Sequence, residues 1–207
     1  MIRWRSGCAA GTAASDDDIL DAAVQVLGHD RLAPLERVAS RAGADPRDVK
    51  SRFPTRDALV TAAVIRGAQR IAAAAVMEDG TPAEQVALLL ARIWDDQAPV
   101  ANFTPLWMRS ELRSEVEQIL DPVRVLLGDA ISRGAGAGAM RADLPESTVA
   151  WLVEHAVLTC LSGVADGSVD PRDGRRLALT YALTSAGLAW DSALAVTESV
   201  EARLDRH

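Results

Sequence analysis

Residues 15–60 contain apolar residues at helical spacing, interrupted by residues that end helices. In the first stretch Ile19, Ala22, Ala23, Val26 and Leu27 recur at intervals of three and four, which predicts an amphipathic helix. Ser15 or Asp16 can cap this helix, and the aspartates at 16–18 lie at its positive end. Gly28-His29-Asp30 ends it. A segment with this period and these caps is predicted to fold as helix and not as strand.

Two further short helices follow. Pro34 opens the second, because a missing N–H costs nothing at the first helical position. Leu35, Val38 and Ala39 would face inward. Gly43 supplies the left-handed residue of the next turn.

Asp45 and Pro46 are the cap and first residue of the third helix. Val49 and Phe53 are one turn apart on this helix, so both are expected in the core. A polar and basic face is then left outside. The residues expected on it are Arg47, Lys50, Ser51 and Arg52.

The remainder of the chain predicts more helices and shows no alternating strand pattern. The expected spans are 58–77, 81–97, 104–120 with an extension to 133, 146–165 and 172–190. Asp121-Pro122 either restarts a helix or kinks one that continues. The glycines at 134, 136 and 138 predict a flexible loop, since a dinucleotide site would need a preceding strand. We therefore expect an all-α fold of about nine helices.

The predicted organisation is a disordered tail at residues 1–14, a head at 15–65 and a body at 66–207. Residues 1–65 contain 9 basic and 9 acidic residues, whereas residues 66–207 contain 13 and 20. A phosphate backbone would repel the body, so any nucleic-acid surface belongs in the head. Arg3 and Arg5 could enter a minor groove or could belong to an inert tail.

Cys8 and Cys160 do not form a disulfide framework, which favours a reduced, cytoplasmic protein. No uncharged apolar run reaches the roughly 18 residues of a membrane span, and no signal-peptide apolar region is present. We therefore expect no membrane partner.

Three separated blocks resemble the DNA-binding domain of the tetracycline-repressor (TetR) family. They are residues 19–23 (ILDAA), 38–43 (VASRAG) and 53–59 (FPTRDAL). Residues 140–145 (MRADLP) resemble a sequence motif that is common in the body of that family. The resemblance implies an all-α homodimer whose heads bind a palindromic DNA operator. It also implies a body that binds a small-molecule effector and dimerises through its last two long helices, with effector binding releasing DNA.

The resemblance assigns DNA contact to the outer face of the third helix and the residues after it. The residues expected to bind DNA are Arg47, Lys50, Ser51, Arg52, Thr55 and Arg56. The alternative is an ordinary solvated helix face, and Lys50, the sole lysine, could be there by chance. The chain departs from the family at Arg47-Asp48, where Gly-Thr is usual, and at Lys50, where an aromatic residue is usual. Asp48 would need Arg47 or Arg52 to neutralise it, or a cytosine amino group to bind.

Most of the few aromatic residues of the body fall on its helices. The residues predicted to bind an apolar ligand are Trp94, Phe103, Trp107, Met108, Trp151 and His155. The alternative is plain core packing, and His155 could be a satisfied core residue. Glu154 could add a polar anchor.

The helices predicted at 146–165 and 172–190 have wide apolar faces. Their apolar residues include Val149, Leu152, Val153, Ala156, Val157, Cys160, Leu177, Leu179, Ala182, Leu183 and Ala186. A dimer bundle would cover these faces, although burial within one protomer is the alternative.

We find no catalytic constellation, no metal-ligand spacing and no cofactor motif. The principal hypothesis is a ligand-responsive DNA-binding regulator, more specifically a repressor. The alternatives are a ligand-binding protein with a head that no longer reads DNA, and an enzyme, for which no residue pattern argues.

Overall fold

The structure is a computed structural model that describes residues 14–30, 32–97 and 112–206. Across these ranges it contains nine α-helices and no strand. The helices are α1 (Asp16–His29), α2 (Leu35–Ala42), α3 (Pro46–Arg52), α4 (Arg56–Ala74), α5 (Pro82–Gln97), α6 (Arg113–Gly136), α7 (Glu146–Asp166), α8 (Pro171–Ser185) and α9 (Trp190–Leu204). The predicted all-α fold is confirmed. The chain divides into two compact units, Met1–Ala63 and Val64–His207.

The first unit begins with a capping box at α1. Ser15 Oγ accepts a hydrogen bond from the Asp18 amide, and the Asp18 carboxylate accepts one from the Ser15 amide. These bonds satisfy two of the amides that every helix start leaves unpaired. Pro34 lies one position earlier than predicted, as the residue that caps α2. Gly43 ends α2 with φ +66°, as its sequence position predicted.

Helix α3 is set by its first and last residues. Asp45 accepts a 2.7 Å hydrogen bond from the Arg47 amide, and Pro46 begins the helix. Val49 and Phe53 are buried at 0% and 8% exposure, so the predicted inward face is confirmed. They join a small apolar core contributed by α1 and α2, whose largest buried members are Ile19, Leu27 and Val38.

The second unit is built around α5. This helix is buried on most of its surface, from Val86 to Ala91 and again at Trp94. It packs against α6, α7, α8 and α9, and α7 also packs against α6 and α8. A helix that is apolar on most sides is stable only when neighbours surround it, which explains its central place.

Helix α6 runs through Pro122 and on to Gly136 without a break. The expectation of a flexible loop from residue 134 is wrong for its first three residues. Gly134 is helical and closely packed, since a Cβ atom there would lie 2.5 Å from Met140 Sδ. The Gly134 carbonyl also accepts hydrogen bonds from the amides of Ala139 and Met140. These contacts order a segment whose composition alone suggests flexibility.

Helix α8 ends at Ser185, so the expected helix from 172 to 190 is wrong at its end and α9 was not predicted. Gly187 turns the chain with φ +103°, a conformation that L side chains rarely adopt. A Cβ atom at this position would lie 2.7 Å from the Arg141 amide nitrogen. That amide donates a 2.9 Å hydrogen bond to the Ala186 carbonyl. The break is also capped locally, because the amides of Gly187 and Leu188 donate hydrogen bonds back to the carbonyls of Thr184 and Leu183.

Helix α7 is long and apolar enough to cross a membrane by length and composition alone. A core helix of a soluble protein passes the same test, so this is weak support for a span. Seven of its 21 residues, between Val149 and Leu161, are buried, and the helix packs against α5, α6 and α8. Neighbouring helices of the same protein thus already cover much of its apolar surface.

Candidate DNA-binding surface and effector-site residues

The outward face of α3 is defined by the burial of Val49 and Phe53. A helix turns about 100° per residue, so Arg47, Asp48 and Ser51 lie nearest the centre of the opposite face. Arg47 and Ser51 are exposed and Asp48 is partly exposed. Ser51 Oγ donates a 2.8 Å hydrogen bond to the Asp48 carbonyl. The centre of this face therefore offers one cation, one carboxylate and one hydroxyl to a partner.

Lys50 and Arg52 flank that centre on opposite sides and have different surroundings. Lys50 is exposed, and no ion pair engages it within the described ranges. Arg52 is held by three groups. Its Nη2 donates a 2.6 Å hydrogen bond to Asp48 Oδ2, and its Nη1 donates to Asp16 Oδ1 at 3.0 Å and to the Ala14 carbonyl at 2.8 Å.

These bonds, first with Asp16 and then with Asp48, raise the pKa of the Arg52 guanidinium. Arg52 thus links α3 to the beginning of α1 and is the partner that neutralises Asp48. These bonds use three of the five N–H donors of the guanidinium, so a contact with a base or phosphate would have to use the remaining two. The bonds support a positioning role for Arg52, and its contact with DNA stays a prediction.

Thr55 and Arg56 lie where α4 begins. Thr55 is exposed, and its Oγ1 accepts a 3.0 Å hydrogen bond from the Ala58 amide, which caps α4. Arg56 is partly buried, and its Nε has no hydrogen-bond partner in the part of the chain that the structure describes. A buried unpaired N–H of a cation is costly unless a partner compensates it. Contact of Arg56 with a phosphate stays a prediction.

Trp94 is a core residue of the second unit. It is 4% exposed, and its indole ring lies over the Cα of Gly174, where a Cβ atom would be 2.6 Å from Trp94 Cζ2. Trp94 is therefore packed in the core, which was the alternative to ligand binding. Contact with a ligand remains a prediction.

Trp151 and His155 lie one turn apart on α7. Trp151 is 50% exposed, and the two rings stack with centroids 3.9 Å apart. His155 Nδ1 lies 2.8 Å from the Trp151 carbonyl oxygen. Trp151 is thus exposed and His155 partly exposed, whereas Trp94 is buried, and a ligand site shared by the three residues stays a prediction. The other predicted ligand residues, Phe103, Trp107 and Met108, lie outside the described residues.

A polar pair between α6 and α7 was not predicted from the sequence. Arg124 binds Glu154 through two hydrogen bonds of 2.9 Å, with the Glu154 side chain 17% exposed. The bond to Glu154 is the largest cause of the raised pKa of Arg124. The possible ligand anchor Glu154 is therefore already paired. Little in the sequence indicated this pair, because the two residues are 30 positions apart and on different helices.

Most apolar residues predicted at the dimer interface are buried within one protomer, because α7 and α8 pack against each other. Val149, Val153, Ala156, Val157, Cys160, Leu179, Ala182, Leu183 and Ala186 are each 3% exposed or less. Burial of Cys160 raises the pKa of its thiol. The apolar side chains that stay exposed on these helices are Trp151, Leu177 and Tyr181, at 50%, 37% and 45%.

No site for a metal ion is apparent: the described residues contain no group of three or more His, Cys, Asp or Glu suited to bind one.

Comparisons with known proteins give a consistent fold. No protein-family model and no curated protein matches the sequence. The transcriptional regulator FadR from Bacillus subtilis, solved with stearoyl-CoA, superposes with a TM-score of 0.67 at 17% identity, covering 84% of this chain and 98% of that one. SmeT, the repressor of the Stenotrophomonas maltophilia multidrug efflux pump SmeDEF, gives 0.59 at 20% identity, with 83% and 90% covered. A TetR transcriptional regulator from Streptomyces coelicolor gives 0.54 at 25% identity, with 83% and 98% covered.

The chain therefore has the fold of the TetR-family transcriptional regulators. The resemblance seen in the three blocks of the sequence is confirmed at this level. The neighbours FadR and SmeT are described as a transcriptional regulator and a repressor.

Proposed function

We propose that this chain is a ligand-responsive transcriptional regulator that binds a palindromic DNA operator as a homodimer and acts as a repressor. The proposal is supported by the fold and by structural neighbours described as regulators, one of them with a bound acyl-CoA and another a repressor. A small apolar effector in the body would favour a state that binds DNA less well.

The observation that carries the proposal is the outer face of α3. In a helix-turn-helix the second of the paired helices enters the major groove with its polar face toward the bases. Here that face has exposed Arg47, Lys50 and Ser51, while Val49 and Phe53 fix its direction. Arg56, a partly buried side chain, follows directly in α4. We assign Arg47 and Ser51 to bases or phosphates, and Lys50 and Arg56 to phosphates.

A fluorescence-polarisation titration of the purified protein against its own upstream DNA tests the proposal. Sequence-selective binding that weakens steeply between about 50 and 200 mM salt is expected, because phosphate contacts release counterions. An unrelated duplex of equal length and base composition is the control. Equal affinity for both duplexes, or none for either, would reject the proposal.

The homodimer is proposed through the remaining exposed face of α7 and α8. A loop of only residues 167–170 joins these packed helices, so they form an antiparallel hairpin. Trp151 on one helix and Leu177 and Tyr181 on the other give this hairpin an apolar surface that a two-fold copy would cover. Two heads can then bind half-sites about one DNA turn apart.

The second candidate is a ligand-binding protein of the same fold whose head does not read DNA. The observation that favours it is Asp48, a carboxylate near the centre of the α3 face where a phosphate would be repelled. DNA binding by Asp48→Thr and Asp48→Asn variants, but not by the natural sequence, would support this candidate.

A further inference from the structure

The outer face of α3 contains a carboxylate that the fold holds in place. Asp48 lies near the centre of this face, and its side chain is 39% exposed. Its Oδ2 is bound by Arg52, whose guanidinium is in turn fixed by Asp16 and the Ala14 carbonyl. A side chain held from one side in this way has few orientations left to lose on binding.

Only half of the Asp48 carboxylate is used. Within the described residues, Oδ1 accepts no hydrogen bond, while Arg52 compensates the charge through Oδ2. The free oxygen is an acceptor only, since an ionised carboxylate has no proton to donate. It can therefore bind a donor group and is repelled by phosphate.

The edges of DNA bases present few donors to such an acceptor. In the major groove they are the N4 amino group of cytosine and the N6 amino group of adenine. Adenine places the N7 acceptor beside its amino group, which would repel a carboxylate, whereas cytosine has no acceptor of its own there. Guanine and thymine present acceptors to the groove from their own edges.

We propose that Asp48 is a specificity-determining residue that selects a C·G pair in each operator half-site by accepting a hydrogen bond from cytosine N4. Arg52 is the positioning residue that holds the carboxylate and neutralises it. This inference rests on the proposed function, because it requires α3 to lie in the major groove. It gives the departure from the usual family residue at position 48 a role in reading the operator.

The test is selection from a randomised DNA pool, followed by sequencing of the bound fraction. The natural protein should enrich sites with a cytosine at one fixed position of each half-site, with about tenfold discrimination against other bases. Asp48→Asn should change that position to adenine, because an amide can bind adenine N6 and N7 together. Asp48→Ala should accept all four bases there and leave the other positions unchanged.

Glu36→Gln is the charge-matched control, since it removes one negative charge from the exposed surface of α2 and should keep the cytosine. The same enriched motif from the natural protein and both Asp48 variants would overturn the inference and leave the proposed function standing. Enrichment by the Asp48 variants alone would mean that Asp48 blocks reading, which overturns it as well. If no protein enriches any sequence, both the inference and the proposed function fail.

Discussion

The ring of Trp94 on α5 lies against the backbone of Gly174 on α8, so close that a Cβ atom at position 174 would be 2.6 Å from Trp94 Cζ2. Val164 Cγ2 would be only 2.8 Å from that Cβ atom. Glycine is thus required because both α5 and α7 approach α8 closely at this position, and not because of an unusual φ angle.

Gly174→Ala should lower the free energy of unfolding by about 1–3 kcal/mol, since the overlap outweighs the gain in helix propensity. Gly128→Ala is the matched control. Gly128 is also helical but has no atom within 4 Å of the added methyl group. That variant should be more stable by about 0.5–1 kcal/mol. Urea denaturation followed by circular dichroism measures both, and equal effects would contradict the packing argument.

Removal of Arg124 should destabilise the second unit. Arg124→Ala would leave the Glu154 carboxylate, 17% exposed, without its two hydrogen bonds. We expect a loss of about 2 kcal/mol, because the unpaired acceptor keeps its desolvation cost. Thermal and urea unfolding measure the change.

Arg113→Ala provides the control for that pair. Arg113 binds Glu117 on the same helix, but the two side chains are 58% and 38% exposed. Exposed pairs contribute little, so the change should stay within about 0.5 kcal/mol. Comparable losses in the two variants would mean that the Arg124–Glu154 pair contributes no more to the free energy of unfolding than an exposed pair does.

The capping box of α5 predicts a pH-dependent contribution to stability. Hydrogen bonds from the amide and hydroxyl of Thr81 lower the pKa of Glu84. A lowered folded-state pKa means that the stabilisation is complete above the unfolded pKa. It is lost as the pH falls from the unfolded pKa through the lowered folded pKa.

Glu84→Ala should therefore cost about 1 kcal/mol at pH 7, and progressively less as the pH falls below the ordinary pKa of glutamate. Glu146→Ala is the control, because Glu146 also lies in a first helical turn, yet α7 has no side-chain cap. Its smaller effect should not follow the same pH profile. A Glu84→Ala penalty that is independent of pH would exclude the ionised cap as its cause.

The proposed dimer is testable at its exposed aromatic residues. Trp151→Glu and Tyr181→Glu place charges on the α7–α8 hairpin and should shift the protein from dimer to monomer in analytical ultracentrifugation. Val125→Glu is the control, since Val125 is 61% exposed on α6. Dimers that persist in both hairpin variants would place the interface elsewhere.

Lys50 should contribute to DNA affinity without contributing to sequence choice. Lys50→Ala is expected to weaken binding to all duplexes similarly and to reduce the salt dependence by about one counterion. Polarisation titrations at several salt concentrations provide the slope. A selective loss for one sequence would instead assign Lys50 to a base.

Local signals predicted the head more fully than the body. Asp45, Pro46 and Gly43 act within a few residues of themselves, and the spacing of Val49 and Phe53 fixes the face of α3. The role of Arg52 could not be predicted in this way, because its partner Asp16 is 36 residues away and meets it only after folding.

The end of α8 was also not predicted, although its signal is local. The Ala- and Leu-rich run that includes residues 177–190 has no strong helix breaker except Gly187. That glycine ends the helix with φ +103°, and the amides of Gly187 and Leu188 bond back to the carbonyls of Thr184 and Leu183. The predicted aromatic cluster likewise came from position along the chain, whereas Trp94 and Trp151 differ in burial once the helices pack.

The main-chain bond from the Arg141 amide to the Ala186 carbonyl has a dynamic consequence. It joins the segment before α7 to the turn after α8. The beginning and the end of the α7–α8 hairpin are thus held together by a main-chain hydrogen bond. Neither segment can fray alone without breaking this bond, and the two should open as one cooperative unit. The Arg141 amide should then exchange its hydrogen as slowly as a helical amide, although it lies between helices.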